Sequence, residues 1–303
     1  MSAPVALFVH ARPEHTRHTL AALAANQLAA STRLVVFADG ARNEAESRLV
    51  SATRAVVQSA SGFLDVELVS RDANLGLATN IADGISRVCG QYGRVIVLED
   101  DIVTAPQFLT FMNQALGRYQ HEPRVWHING WNYPMNVKGL PSVFLWRLMH
   151  CWGWATWEDR WQHFEKAPVK LLDSWAQPDI HRFNLDGAQD FWAQVEANHR
   201  GTMNTWAVFW YATLFERGGL CVSPAQALTL NTGLDGSGAH CAASTAFHGP
   251  LLSPRQWDWP SYLVEDPHAI LRAKNFMTQV NGSLLRRAIR SAYQVLRDSA
   301  RLK

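Results

Sequence analysis

The sequence predicts an α/β protein built on a mostly parallel sheet with helices on both faces. Three observations carry this. Four short aliphatic runs are separated by three helical stripes before residue 100. Turn or polar residues close the runs, as in βα units. The fourth run, VIVL, passes straight into Glu99-Asp100-Asp101, and parallel α/β sheets bind ligands just beyond the carboxyl ends of their strands.

The elements follow in order. Val5–His10 reads as the first strand, broken by Arg12-Pro13. Glu14–Ala25 carries a helical stripe at Leu20, Leu23 and Ala24. Leu34–Ala38 is a second strand ending in Asp39-Gly40, followed by a helix over Glu44–Ser59. Val66–Val69 is a third strand, and Asn74-Leu75-Gly76 is a turn. Leu77–Cys89 places Leu77, Ile81, Ile85 and Val88 on one helical face, and Val95–Leu98 is the fourth strand. Beyond the acidic triplet, Thr104, Pro106 and Gln107 read as a capping box opening the next helix. The triplet is therefore surplus to capping.

After Trp126 the pattern loosens. Helices are predicted over 188–198 and 206–217, and NTGLDGSGAH, Asn231 to His240, is a glycine-rich loop. The reading is one domain over 1–282, in two halves at 1–125 and 126–282. A basic amphipathic helix follows at 283–303, where six basic residues face one acid, Asp298. Such a helix suits an anionic membrane surface; packing on its own domain is the competing reading.

A formal net charge of +2 over 303 residues is no nucleic-acid footprint. Cys89, Cys151, Cys221 and Cys241 lie far apart with no CxxC pair, so neither a disulfide framework nor a zinc site is expected, and a reducing cytosol is the simplest setting. The N-terminus shows no signal-peptide pattern, and no apolar run is long enough to span a bilayer. Tryptophan is in excess: seven of the 13 fall between Trp126 and Trp161.

Adjacent carboxylates in a partly buried place repel one another. A hard divalent cation, Mg²⁺ or Mn²⁺, relieves this and keeps positions open for substrate phosphates. A solvated acidic turn is the competing reading.

VIVLEDD, together with HCWGWATWEDRW, TWAVFWYATLFERGGLCVSP and LNTGLDGSGAHC in the same order, resembles bacterial family-2-like glycosyltransferases of the GT-A fold, with an EDD motif similar to the N-acetylglucosaminyltransferase I type. The resemblance implies an inverting, metal-dependent transfer from a nucleoside diphosphate donor, a UDP-sugar and in particular UDP-galactofuranose, to a glycan or lipid-linked glycan in surface polysaccharide synthesis. It implies Asp101 as a direct metal ligand, Asp100 at the ribose or the metal through water, and Glu99 on the inner side of the nucleotide pocket. It implies that 1–125 is the nucleotide-binding half and 126–282 the acceptor-binding half. Asp39 would meet the base. Arg12 would close over the nucleotide, against a reading as a surface residue. Arg71 and Asn74 would lie beside the diphosphate, where a helix N-terminus offers free N–H groups, although Asn74 also suits a plain turn. His240 would reach a phosphate or the metal.

Trp131, Trp152 and Trp154 are the candidates for stacking on an acceptor sugar. Residues 154, 157 and 161 also share one helical face, which favours core for Trp157 and Trp161. Inverting transfer needs a carboxylate base. Asp235 is favoured, with Asp190 and Glu216 as alternatives, and Asp235 also reads as an Asp-Gly turn residue. Two other classes remain open: a sugar-phosphate nucleotidyltransferase, which would use the same strand-end acids, and a non-catalytic carbohydrate-binding protein.

Overall fold

The computed structural model describes residues 2–234, 246–251 and 256–282. Asp235, His240 and the helix expected at 283–303 lie outside the described residues. β1 (Val5–Val9), β2 (Arg33–Ala38), β3 (Asp65–Ser70) and β4 (Arg94–Glu99) pair in parallel, in the order β3-β2-β1-β4. Between them run α1 (Pro13–Ala24), α2 (Glu44–Gln58) and α3 (Leu77–Tyr92). The sheet continues through β8 (Trp154–Trp157), β6 (Val125–Asn129), β9 (Leu220–Pro224) and β7 (Val143–Trp146). β8 runs antiparallel to both β4 and β6, β6 is parallel to β9, and β7 is antiparallel to β9. The α/β expectation holds. Four of the seven pairings within this eight-stranded sheet are parallel, all but one of them in the first half.

Side chains leave a strand alternately on its two faces, and here each set finds its own core. Leu7, Val36 and Leu98 join α1, α2 and α4 (Phe108–Tyr119), through Leu23, Val57 and Phe111. Phe8, Val35 and Val97 join α3 and α9 (Ala207–Glu216), through Ile81, Ile85 and Trp210. A helix over residues 267–282, α10, adds Ala273 and Met277 to the second core.

Two local expectations are corrected. Thr104 caps no helix. It ends a short strand, β5 (Ile102–Thr104), that pairs antiparallel with β10 (Thr229–Asn231). α4 begins at Phe108, and its first turn is held by Asn26, whose Oδ1 accepts from the N–H of Leu109 at 2.9 Å. Trp154 and Trp157 share no helical face. They belong to β8 and point into opposite cores, and only then does α5 (Glu158–Trp161) begin.

The second half adds α6 (Pro168–Ser174), α7 (Gln177–Phe183) and α8 (Trp192–His199). Arg147 at the end of β7 is 5% exposed and ties this half together. Its guanidinium donates to Glu265 at 2.6 Å and Asp186 at 2.8 Å, and Lys274 of α10 reaches Asp186 at 3.2 Å. Among the described residues no helix is long and apolar enough to cross a membrane.

Candidate active site

The carboxyl ends of β1, β2 and β4 meet at one edge of the sheet. Asp100 is 7% exposed. Its carboxylate accepts weakly from the N–H of His10 (3.4 Å), and its carbonyl accepts from the Thr19 hydroxyl (2.8 Å). Arg12, at the start of α1, places its guanidinium 2.8 Å from Asp101 Oδ2 and 3.4 Å from Asp100 Oδ1. Burial first, then the charge of Asp101, pushes the Asp100 carboxyl up to about 7, against the pull of Arg12. The same two causes, with the Asp100 charge, hold Glu99 well above the usual carboxylate range. Protons held on Glu99 and Asp100, together with the Arg12 guanidinium, thus offset the charge that three adjacent carboxylates would otherwise carry.

Asp101 is fixed from the other side by the chain leaving β10. Its carbonyl accepts from the Thr232 N–H (2.8 Å) and hydroxyl (3.0 Å). Gly233 follows, turned by its own N–H donating to Asn231 Oδ1 at 2.7 Å. A Cβ at Gly233 would lie 2.1 Å from Asp101 Oδ2 and 3.0 Å from the Arg12 guanidinium. Glycine is there for space.

Asp39 and the loop before α3 form a second cluster at this edge. Asp39 Oδ1 accepts from the N–H groups of Gly40 (2.9 Å) and Leu75 (2.8 Å), and Oδ2 accepts from Gly76 (3.0 Å). Asn74 donates to the Gly40 carbonyl (2.8 Å) and to Asp39 (3.1 Å). The loops approach so closely that a Cβ on Gly40 would meet the Ala73 carbonyl carbon at 2.4 Å. Arg71 donates to Asn80 Oδ1 at 3.1 Å, pairs with Asp83 and lies over the Phe37 ring. The N–H groups of Leu75 and Gly76, just before α3, are thus taken by Asp39. Asp39, Arg71 and Asn74 lie just beyond the ends of β2 and β3, where their polar atoms knit the loops together.

Gly233 also leads into a cavity of about 370 Å³, because Leu234 lines it. Trp131, Tyr133, His150, Trp152, Tyr211 and Phe247 form much of its wall. The Trp131 and Trp152 rings meet edge-on at 4.5 Å. Of the three tryptophans expected to face a sugar, Trp131 and Trp152 line this cavity. Trp154 does not: it has no exposed surface and packs between Trp206 (5.3 Å) and the His127 ring (4.9 Å). Its place is the core, because β8 is an interior strand.

The base candidates separate. Asp190 is exposed, and its neighbours Gln189 and Phe191 both line the cavity. Its Oδ1 accepts from the N–H of Ala193 (3.1 Å) and from Asn184 (3.2 Å). Glu216 is a correction. It accepts from Trp175 Nε1 at 2.9 Å and borders a different small hollow, with His163 and Lys170, which shares no lining residue with the aromatic cavity.

No family model and no curated protein matches the sequence. Among solved structures, the chain is similar to a mannosyltransferase, PcManGT from Pyrobaculum calidifontis, in complex with GDP-Man and Mn²⁺ (TM-score 0.42, 12% identity, 72% of this chain and 69% of that one). It is similar to S. aureus TarS 1-349 (TM-score 0.44, 10% identity, 78% of this chain and 62% of that one). A third is the galactosyltransferase LgtC in complex with donor and acceptor sugar analogs (TM-score 0.36, 10% identity, 70% of each chain).

Several members of the site carried no sequence signal. His10 and Thr19 bind Asp100, and Tyr133, His150 and Tyr211 line the cavity, through contacts made across the fold. Thr232-Gly233 was visible as the start of the glycine-rich loop, but its seat on Asp101 depends on the β5–β10 pairing.

Proposed function

We propose that this chain is a GT-A-type glycosyltransferase that moves a sugar from a nucleoside diphosphate donor to a hydroxyl of a glycan. The observation that carries the reading is the placement of Asp101. It sits at the end of β4, faced by a cation at 2.8 Å, and is one residue step, Gly233 to Leu234, from an aromatic cavity. Pockets of a few hundred Å³ suit small-molecule ligands, and aromatic walls suit the C–H faces of sugar rings. A UDP-sugar is the proposed donor, UDP-galactofuranose in particular from the form of the NTGLDGSGAH loop, and a lipid-linked surface glycan the proposed acceptor.

Mn²⁺ or Mg²⁺ is the proposed cofactor. The donor set fits it: two hard carboxylates, Asp101 and Asp100, whose joint charge already recruits a guanidinium, under a glycine where any side chain would fill the space. Among the described residues no group of three His, Cys, Asp or Glu could hold a metal, so water and substrate phosphates would have to complete the shell around the two carboxylates. Bound there, the ion would neutralise charge growing on the leaving diphosphate. Arg12 would pair with the same diphosphate, since guanidinium matches phosphate oxygens bidentately. Trp131 and Trp152 would hold the acceptor ring, and Asp190 or Asp235 would take the proton from its hydroxyl. The nucleotidyltransferase reading is disfavoured by the loop after β1, which runs through Arg12-Pro13 directly into α1 and contains no glycine.

The test is Asp101→Asn. Nucleotide-sugar turnover, read as release of the nucleoside diphosphate over a donor panel with Mn²⁺, should fall at least about a hundredfold, as for removal of a main electrostatic stabiliser, with an unchanged melting temperature. Unchanged turnover would sink the proposal.

A further inference from the structure

Arg12 occupies the position in which a cation would serve Asp101. Its guanidinium bridges both acids, at 2.8 Å from Asp101 and 3.4 Å from Asp100. Its backbone is anchored, because the Arg12 carbonyl accepts from both the N–H (3.0 Å) and the hydroxyl (2.9 Å) of Thr16, and Pro13 follows at once. Any movement is therefore confined to the side chain. Gly233 lies over the pair and leaves no room for a second bulky group beside it.

Two cations cannot share one carboxylate oxygen at this range without strong repulsion. Nor can the guanidinium leave two partly buried acids without another anion to meet it. A diphosphate is such an anion. We infer that Arg12 is a displaceable counter-ion: it competes with the divalent ion for Asp101, and the donor's diphosphate releases it. The inference rests on the metal-and-diphosphate reading of the site proposed above. Metal and nucleotide then favour each other's binding, by the same factor in each direction. Without nucleotide, the enzyme keeps Asp101 neutralised by its own side chain and takes up metal poorly.

The experiment is Mn²⁺ titration by electron paramagnetic resonance on the full chain, with and without UDP or GDP, for wild type, Arg12→Gln and Arg12→Lys. Wild type should bind Mn²⁺ about tenfold or more tightly with a nucleoside diphosphate than without, within the usual range of such couplings. R12Q should bind Mn²⁺ several-fold more tightly than wild type when nucleotide is absent, and its gain from nucleotide should shrink. R12K keeps the charge and should resemble wild type, and thermal melts of both variants report folding. If wild type shows no coupling, the inference fails with no variant needed. If R12Q binds Mn²⁺ no better than wild type alone while nucleotide still recruits it, the counter-ion role falls and the transferase reading stands. If no form binds Mn²⁺ under any condition, both fall.

Discussion

The carboxylate of Asp39 grips the start of α3, accepting from Leu75 at 2.8 Å and from Gly76 at 3.0 Å. Asp39 is 4% exposed, so its loss leaves partly buried N–H groups without their acceptor. Asp39→Ala should cost about 2–4 kcal/mol in urea denaturation, at about 1–3 kcal/mol per orphaned group. A loss below about 0.5 kcal/mol would show that the loops hold without it. If the proposed nucleotide site lies at this edge, donor affinity should fall along with stability.

Gly233→Ala tests the crowding above Asp101. The added methyl would sit 2.1 Å from Oδ2, so either the chain or the carboxylate must move, at about 1–3 kcal/mol. Nucleoside diphosphate affinity with Mn²⁺, measured by calorimetry, should drop about tenfold or more. Full affinity would mean that Asp101 tolerates displacement and does not define the site.

Two buried imidazoles set an acid limit. Burial drives His127 and His150 down to about 3. The His127 tautomer is fixed by its partners, with Nε2 donating to the His150 carbonyl (3.1 Å) and Nδ1 accepting from Trp210 Nε1 (3.1 Å). Between pH 6.5 and 3 the unfolded chain binds these protons and the folded one does not. Stability therefore falls as pH drops through 6.5, by up to about 1.4 kcal/mol per pH unit for each histidine. Asp100, raised to about 7, acts oppositely in the same window, since the folded state holds its proton longer. The informative comparison is wild type against His150→Phe by urea midpoints at pH 7.5, 6.5 and 5.5. The variant should lose less stability on acidification; parallel curves would refute the assignment.

The tryptophans divide by environment. Trp152→Ala should raise the KM for acceptor and spare acceptor-independent donor hydrolysis, because Trp152 walls the cavity. Trp154→Ala should cost about 3–5 kcal/mol of stability instead, as a large side chain removed from a core that cannot collapse around it. A Trp152 variant with unchanged acceptor KM would remove that residue from the site.

Arg147→Met breaks a buried charge network joined by Asp186 and Glu265. At the end of the edge strand β7, Glu265 then loses its guanidinium while Asp186 keeps Lys274, and both carboxylates are partly exposed, so the loss should be about 1–3 kcal/mol. Adding Glu265→Gln should recover part of this, measured as a double-mutant cycle.

Much of the first half was legible from residue order. Runs such as VALFV and RVIVLE place alternate side chains into two separate cores, and the sequence marks both the runs and the helical stripe of α3. The errors arose where a distant segment decides the local state. Thr104 looked like a helix cap because β10, its pairing partner, lies far along the chain. Trp154, Trp157 and Trp161 fit a helical spacing by coincidence, and only the neighbours β4 and β6 make the first two a strand. In the site, acids at a strand end were readable because strand direction fixes them. The salt bridge to Arg12 and the seat of Gly233 were not, since both are made by side chains and turns meeting across the sheet edge.

The placing of β8 between β4 and β6 has a practical corollary for engineering. Residues after 126 lend a central rung to the ladder of the earlier half, and the Glu158 N–H donates to the Gly93 carbonyl at 3.0 Å. A hybrid that grafts residues 126–282 of one homologue onto 1–125 of another would splice through the middle of that ladder. The aromatic cavity is better altered by substituting its walls one at a time than by exchanging halves.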